Sequence, residues 1–198
     1  MIKLYELRRT RSERVRWTMA ELGLPFDSVE GREVLGSAEL KAISPLGKVP
    51  AIRDDGRSLF ESAAICAWLA DRQPERGLIG ASGSWERALH DQWVCFCLTE
   101  LEAYLWSTAR NTFVYPEEMR SPKILEQNRI EGRKALEVLD SHLAAEPFLV
   151  GGRLTVADII VGYAANWAAN QGWIDGLDHV SGYVDRLLAL PTCTYRRR

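Results

Sequence analysis

The spacing of apolar residues predicts a chain with two halves of different character. As far as about residue 76, short alternating segments, which predict β-strands, lie between segments of helical periodicity. The strand-like segments read IKLYEL from residue 2, PFDSVE near residues 26–31, VPAIRDD from residue 49 and RSLFE from residue 57. The last two are joined by Asp55-Gly56, a pair that favours a hairpin turn. This order of elements predicts a small α/β layer fold.

Helical periodicity supplies the remaining elements. TRSERVRWTMAELGL predicts a first helix, with the spacing of a capping box at Thr10 and Glu13 and a stop at Gly23. SAELKAIS and SAAICAWLADR predict two more helices before a linker rich in Gly, Pro and Ser. Beyond the linker only helices are predicted, at about residues 85–110 and 121–145, after the loop that begins FLVGG, and at about 180–190. We therefore expect an α/β domain at 1–76 and an all-helical domain at 84–198.

Composition and charge narrow the class of protein. The 198 residues are 46% hydrophobic and 26% charged, which is typical of a globular protein with one large or two small domains. A net charge of -2 gives no overall attraction to nucleic acid or to an anionic membrane, so we expect neither as a partner. No segment has the pattern of a signal peptide or a membrane span. These features favour a cytoplasmic protein.

Cysteine and histidine do not form a recognisable metal or redox motif. The four cysteines, at positions 66, 95, 97 and 193, have neither the C-x-x-C nor the zinc-finger spacing. Free thiols are expected, and apolar neighbours predict that the first three are packing residues. The three histidines are scattered through the chain, at positions 90, 142 and 179, and predict no metal site.

The stretch from residue 48 to residue 62 combines a proline turn with a polar helix start. If the bond before Pro50 is cis, Val49 turns its amide and carbonyl outward, where an extended peptide can pair with them. The alternative is an ordinary edge-strand proline. Ser62 is a favoured N-cap residue at a helix terminus that attracts carboxylates, and Glu61 can pair with an ammonium group. Together they fit an α-amino acid, although a plain N-cap beside a solvated glutamate remains the alternative.

Three motifs in order, SPLGKVPAI, ESAAICAWLAD and FLVGGRLTVADIIV, resemble the cytosolic glutathione transferase family across essentially the whole chain. The resemblance implies a thioredoxin-like amino-terminal domain that binds glutathione as co-substrate. It also implies an all-helical carboxy-terminal domain that supplies the second-substrate pocket, and a homodimer. In GRLTVAD, Thr155 and Asp158 resemble the capping box of the family's buried helix, so they are interpreted as folding residues.

The resemblance assigns roles to residues of the glutathione site. It implies that Val49 pairs with the cysteinyl backbone of glutathione and that Pro50 follows a cis bond. Glu61 and Ser62 would hold the γ-glutamyl group, and Lys48 would contact the glycyl carboxylate.

The catalytic position departs from the family pattern. Family members place a Tyr, Ser or Cys between the first strand and helix, but here the loop reads ELRRTRSERVRW and the slot falls on Arg9, Thr10 or Arg11. We hypothesise that Arg9 or Arg11, with the helix amides, stabilises the glutathione thiolate and that Thr10 or Ser12 adds a hydrogen bond. Alternatively the arginines are solvated and Thr10 is only an N-cap. Tyr5 is the other nearby hydroxyl, and as a strand residue it can point to either face.

The segment YLWSTARNTFVYP predicts where a second substrate binds. It offers aromatic surface with one cation, from Tyr104, Trp106, Arg110, Phe113 and Tyr115. Such a surface suits a flat, hydrophobic electrophile, although aromatic residues at helical spacing are also typical of a packed core. The leading hypothesis is therefore a transferase that uses a glutathione thiolate against an electrophile or a mixed disulfide. The alternative is a binding or regulatory module with little turnover. A thioredoxin-type reductase is disfavoured because no C-x-x-C lies near the first helix.

Overall fold

The computed structural model describes residues 1–195 and divides them into two compact units. The first unit comprises residues 1–81 together with 191–195, and the second comprises residues 82–190. The first unit is the expected α/β domain, and the second is helical.

The sheet of the first unit contains the four predicted strands. They are β1 (Ile2–Glu6), β2 (Phe26–Glu30), β3 (Ala51–Asp54) and β4 (Arg57–Phe60), in the spatial order β2-β1-β3-β4. The pair β1 and β2 is parallel, and the other two pairs are antiparallel. Asp55 and Gly56 both have positive φ, 46° and 77°, as a two-residue hairpin turn of the predicted kind requires.

The first unit also contains three α-helices: α1 (Ser12–Leu22), the short α2 (Ala38–Lys41) and α3 (Ser62–Asp71). Gly23 ends α1 in the left-handed conformation, as predicted. The helices α1 and α3 pack on each other. Fully buried apolar residues come from both helices and from the sheet, among them Leu4, Val15, Ile52, Ile65 and Leu69. This layer holds the starts of α1 and α3 in place.

The last described residues belong to the first unit, although we expected the helical domain to run to the end of the chain. Their side chains explain the difference. The indole N–H of Trp17 donates to the Thr192 hydroxyl at 3.2 Å, and the Tyr195 ring meets that indole edge-on at 5.0 Å between ring centres. The Thr194 hydroxyl donates to the Glu13 carbonyl at 2.9 Å. Residues 191–195 are therefore attached to α1.

The second unit is built from helices, and no strand occurs in the described chain after Phe60. The predicted long helix is a continuous run from residue 85 to residue 114, with two π-helical segments in it. Its α-helical parts are α4 (Trp85–Phe96) and α5 (Ala103–Ala109), followed in the chain by α6 (Pro122–Leu143), α7 (Val156–Ala169) and α8 (Asp178–Ala189). The π segments are Cys97–Glu102 and Arg110–Val114.

The capping box predicted at α7 is present. The Asp158 carboxylate accepts hydrogen bonds from the amides of Thr155 and Leu149, at 2.8 and 2.9 Å. It also accepts from the hydroxyls of Thr155 and Tyr183, at 2.9 and 3.1 Å. Burial raises the pKa of Asp158, and these four donors oppose the rise. Asp158 therefore joins a loop and two helices inside the second unit.

All four cysteines are free thiols, as expected. Cys66, Cys97 and Cys193 are buried, but Cys95 is exposed, so its predicted packing role is wrong. The reason is helical phase: the buried stripe of this helix follows a spacing of three and four residues, and Cys95 lies off it. Burial raises the pKa of the Cys66 thiol to about 12.

Residues 1–195 contain neither a candidate metal cluster nor a candidate membrane-spanning helix. No three His, Cys, Asp or Glu side chains are placed to hold a metal ion. In the same residues, no helix has the length and apolarity that crossing a membrane needs.

We predict that Asp158→Asn lowers the free energy of unfolding by about 2–4 kcal/mol, because an amide cannot accept from all four buried donors and presents N–H groups to some of them. Urea unfolding followed by tryptophan fluorescence measures this change. Asp175→Asn, at an exposed position, is the matched control and is expected to change stability by less than about 0.5 kcal/mol. Equal urea midpoints for the two variants would contradict the structural role of Asp158.

We also predict that one thiol per chain, Cys95, reacts rapidly with a disulfide reagent at pH 8 in the folded protein. The thiolate is the reactive form, and a thiol of pKa about 12 holds only about one part in 10⁴ of it at that pH. Titration with Ellman's reagent, native and in denaturant, counts the fast and total thiols, and Cys95→Ser should remove the fast one. If a second thiol reacts rapidly and Cys66→Ser removes it, the first unit opens readily and the prediction is wrong.

Candidate functional site

The turn before β3 leaves backbone polar groups without partners. The Val49–Pro50 bond is cis, as the resemblance implied. The Val49 side chain is half-buried and packs on a cluster that includes Tyr5, Leu40 and Ala51. Within residues 1–195, neither the amide nor the carbonyl of Val49 has a hydrogen-bond partner. Backbone groups of this kind are strong donors and acceptors, so this position can pair with an added extended segment.

The start of α3 differs from the sequence prediction by one residue. The helix begins at Ser62, and Glu61 is the N-cap residue, so the N-cap role predicted for Ser62 is wrong. The Ser62 side chain is buried, and its hydroxyl oxygen accepts from Nη1 of Arg14 at 3.2 Å instead of capping the helix. The first amides of an α-helix have no acceptor inside the helix. They remain donors for a ligand at this terminus.

Glu61 holds an unusual backbone conformation. Its φ of 72° and ψ of 114° lie where side-chain-bearing residues are rarely found. Such a conformation costs about 1–3 kcal/mol and persists only where the surrounding structure enforces it, most often at ligand sites. The Glu61 side chain is exposed and caps no helix amide. A carboxylate is thus available beside the unpaired amides of α3.

The sequence pattern did not reveal Arg14, which is fully buried on α1. A signal was present: Arg14 shares a helical face with Thr18 and Leu22, both buried, and a charge on such a face is uncommon. Its guanidinium lies beneath the first residue of α3, where it adds positive charge to the partial charge of the helix terminus. The pair Arg14 and Ser62 therefore strengthens this terminus as a carboxylate site.

The predicted catalytic hydroxyls take part in the internal hydrogen bonds of the first loop. The Thr10 hydroxyl donates to the Leu7 carbonyl at 2.6 Å, and the Ser12 hydroxyl oxygen accepts from the Leu7 amide at 3.3 Å. The two hydroxyl oxygens lie 3.0 Å apart. Ser12 is only 1% exposed, whereas Thr10 is half-buried. Both side chains shape the loop, and Thr10 is the more accessible of the two.

The loop also brings arginines to the start of α1. Arg11 is the N-cap residue, and Arg9 is exposed with a φ of 64°. The Arg9 amide donates to the Glu13 carboxylate at 3.0 Å, and Nε of Arg8 lies 3.3 Å from the same oxygen. The predicted capping box of Thr10 and Glu13 is therefore wrong, because the left-handed turn at Arg9 turns that amide to the carboxylate.

Two further predicted residues are placed as follows. Tyr5 is buried and its hydroxyl donates to the Glu39 carboxylate of α2 at 2.5 Å, so it faces α2. Burial raises the pKa of this phenol. Lys48 is exposed and directly precedes Val49. Its contact with a glycyl carboxylate stays a prediction.

The predicted second-substrate residues lie on the second unit, and the structure brings three of them together. The guanidinium carbon of Arg110 lies 6.0 Å from the ring centre of Trp106 and 5.7 Å from that of Tyr115. Tyr104 is half-buried, and Phe113 is 68% exposed. None of the five is fully buried, so this surface is not simply packed core.

Comparison with known proteins agrees with the geometry of the first unit. Residues 4–77 match the glutathione S-transferase N-terminal domain, and residues 97–186 match the glutathione S-transferase C-terminal domain. Glutathione S-transferase GstA of Escherichia coli O157:H7 is 32% identical over 152 residues, which cover 76% of this chain and 72% of the relative.

Two other relatives bear on function. A glutathione transferase family member from Pseudomonas fluorescens pf-5, solved with two glutathione bound, is 28% identical with a TM-score of 0.83, over 97% of this chain and 90% of that one. Elongation factor 1-gamma of Prunus avium is 35% identical over 123 residues, or 62% of this chain and 28% of the relative. With both domains matched in order and the fold shared along nearly its whole length, the chain belongs to the glutathione S-transferase family.

Proposed function

We propose that this protein binds glutathione and transfers it, as a thiolate, to an electrophilic carbon or a mixed disulfide. The observation that carries the proposal is the Val49 backbone, unpaired within the described residues and set immediately before β3. Glutathione is an extended peptide with an α-amino acid at one end, which is the chemistry that this backbone and the start of α3 are suited to bind.

In this arrangement each part of glutathione is assigned to a protein group of complementary chemistry. Val49 pairs with the cysteinyl backbone. The first amides of α3, with Arg14 beneath them, take the γ-glutamyl carboxylate, and Glu61 takes the ammonium group. Lys48 is assigned to the glycyl carboxylate. A relative solved with glutathione bound supports this class of ligand.

We assign the activation of sulfur to positive charge rather than to a single hydroxyl. The Thr10 hydroxyl already donates to Leu7, and Ser12 is almost wholly buried, so neither is freely available as a donor. Arg9, Arg11 and the first amides of α1 stabilise the thiolate, with Thr10 or Ser12 in support. The thiol releases its proton to solvent. Its sulfur then bonds to the electrophilic atom as the bond to the leaving group breaks, and the leaving group departs with that electron pair.

The second substrate is assigned to the aromatic surface of the helical unit. Trp106 and Tyr115 present rings there, and Phe113 adds exposed apolar area. Tyr104, two residues before Trp106, is the remaining candidate. The same proposal includes a homodimer and a cytoplasmic location, which the family resemblance favours.

A second candidate function is a binding or regulatory module with little turnover. The hydroxyls of Thr10 and Ser12 both take part in hydrogen bonds within the loop. This favours the module, because neither hydroxyl is reserved for a hydrogen bond to the glutathione sulfur. One relative, moreover, is named as an elongation factor and not as a transferase.

We predict that Glu61→Gln weakens glutathione binding about tenfold, because it removes a charge from the ammonium contact while it keeps the side-chain shape. Isothermal titration calorimetry with reduced glutathione measures the effect. Glu75→Gln makes the same charge change at an exposed position of the same unit and should bind like the wild type. If both variants match the wild type, Glu61 does not hold the ammonium group. If the wild type shows no binding, the glutathione site itself is wrong.

We predict that Arg11→Ala raises the thiol pKa of bound glutathione by about one unit, equivalent to about 1.4 kcal/mol of lost thiolate stabilisation. Thiolate absorbance across a pH series measures it, and Thr10→Ala and Ser12→Ala should have smaller effects. Turnover of 1-chloro-2,4-dinitrobenzene and of a glutathione-linked disulfide is measured on the same proteins. Three unchanged pKa values would exclude this mode of activation, and binding without turnover would favour the module.

A further inference from the structure

The contacts of the Arg110 guanidinium are with two aromatic rings, those of Trp106 and Tyr115. Within residues 1–195 the guanidinium makes no hydrogen bond to an acceptor and no ion pair with a carboxylate. Its Nε atom is fully buried, although the side chain as a whole is only half-buried. Buried donors without an acceptor are rare because they lose their hydrogen bonds to water and gain none. The exposed part of the group therefore presents an unneutralised charge to whatever binds there.

The helix geometry explains why aromatic rings flank this cation. Trp106 precedes Arg110 by four residues and lies on the same helical face. Tyr115 follows by five, which in an α-helix places it about 140° away around the axis. Here Arg110 begins a π-helical segment, and the Tyr115 amide donates to the Arg110 carbonyl at 2.9 Å. The wider turn returns Tyr115 to the Arg110 face, and π-helical segments are frequent at functional sites.

Charged side chains of both signs follow Arg110 in the chain, and within the described residues none of them pairs with its guanidinium. Nε of Arg120 donates to the Tyr115 carbonyl at 2.8 Å, so a second arginine is held close by. Glu117 and Glu118 follow in the chain, but both are exposed and neither is paired with Arg110 in the described residues. An arginine fork binds a carboxylate through two parallel hydrogen bonds, and its flanking rings can stack on a flat aromatic ligand.

We propose that Arg110 selects an anionic second substrate, a flat aromatic electrophile that carries a carboxylate. The aromatic ring stacks on Trp106 and Tyr115, and the carboxylate meets the Arg110 guanidinium. The sequence alone pointed to an apolar electrophile, and the unpaired cation refines that class. The assignment of this surface to the second substrate rests on the proposed function, but the binding of an aromatic anion does not.

The test uses two inert probes that differ in one charge, 3,5-dinitrobenzoate and its methyl ester. Nitroaromatic compounds quench tryptophan fluorescence, so both affinities can be measured without turnover. The wild type should bind the anion about tenfold more tightly than the ester, and Arg110→Gln should remove this preference while it leaves ester affinity within about twofold. Arg129→Gln, with the same charge change at an exposed position of α6, should keep the preference.

Two results would overturn the proposal: a wild type without preference for the anion, or an Arg110→Gln variant that keeps it. Arg110→Lys is the second variant, because it preserves the charge and loses the planar fork, and it should give an intermediate preference. If Arg110→Gln does not fold, the wild-type preference and its reduction in Arg110→Lys decide the matter.

A reactive pair separates this proposal from the proposed function. Turnover of 4-chloro-3,5-dinitrobenzoate and of its methyl ester with glutathione is compared, each relative to its uncatalysed rate. In this reaction the glutathione sulfur bonds to the ring carbon and chloride leaves. No turnover of either compound, with the anion preference intact in the binding assay, removes the transferase and keeps the anion site. Turnover of both without any preference in either assay keeps the transferase and removes the anion site.

Discussion

The hydrogen bond from the buried Arg14 guanidinium to Ser62 connects α1 and α3, the two helices on which the proposed glutathione site depends. A charge is buried only where its surroundings compensate for lost hydration, so this contact constrains α1 and α3 together. The loop that carries the arginines leads into α1, and the strained Glu61 directly precedes α3. The arrangement of both starts follows from a side chain that never reaches the surface.

Polar groups in this protein fall into two classes that can be told apart by their partners. Asp158 is buried and accepts from four donors, which is what a residue of the folding core requires. The Val49 backbone and the Arg110 guanidinium have no such partners within the described chain. A polar group without a hydrogen-bond partner costs free energy, so it indicates a place where a ligand binds. The missing partner is a better guide to such a place than the type of residue.

Local patterns in the sequence predicted most of the fold and part of the site. Alternation, helical spacing and the Asp55-Gly56 turn predict elements whose causes lie within a few residues, and all four strands were found. The errors share another cause. Ser62 does not cap its helix because its partner, Arg14, lies 48 positions away. The carboxylate of Glu13 goes to Arg9 because of a left-handed turn that no residue type there demands. The spacing of neighbouring residues in the sequence predicts neither partners that are distant in the chain nor strained backbone conformations.

The attachment of residues 191–195 to α1 has a consequence for how the chain is completed during synthesis. Residues 1–81 leave the ribosome first. The Trp17 indole can contact Thr192 and Tyr195 only after the whole helical unit has been made. The Thr194 hydroxyl then donates to the Glu13 carbonyl. The side chain of the same residue, Glu13, accepts from the Arg9 amide in the loop that carries the arginines. The unit that emerges first is therefore the last to acquire all its contacts, and the loop at the proposed glutathione site gains its last contacts from the end of the described chain.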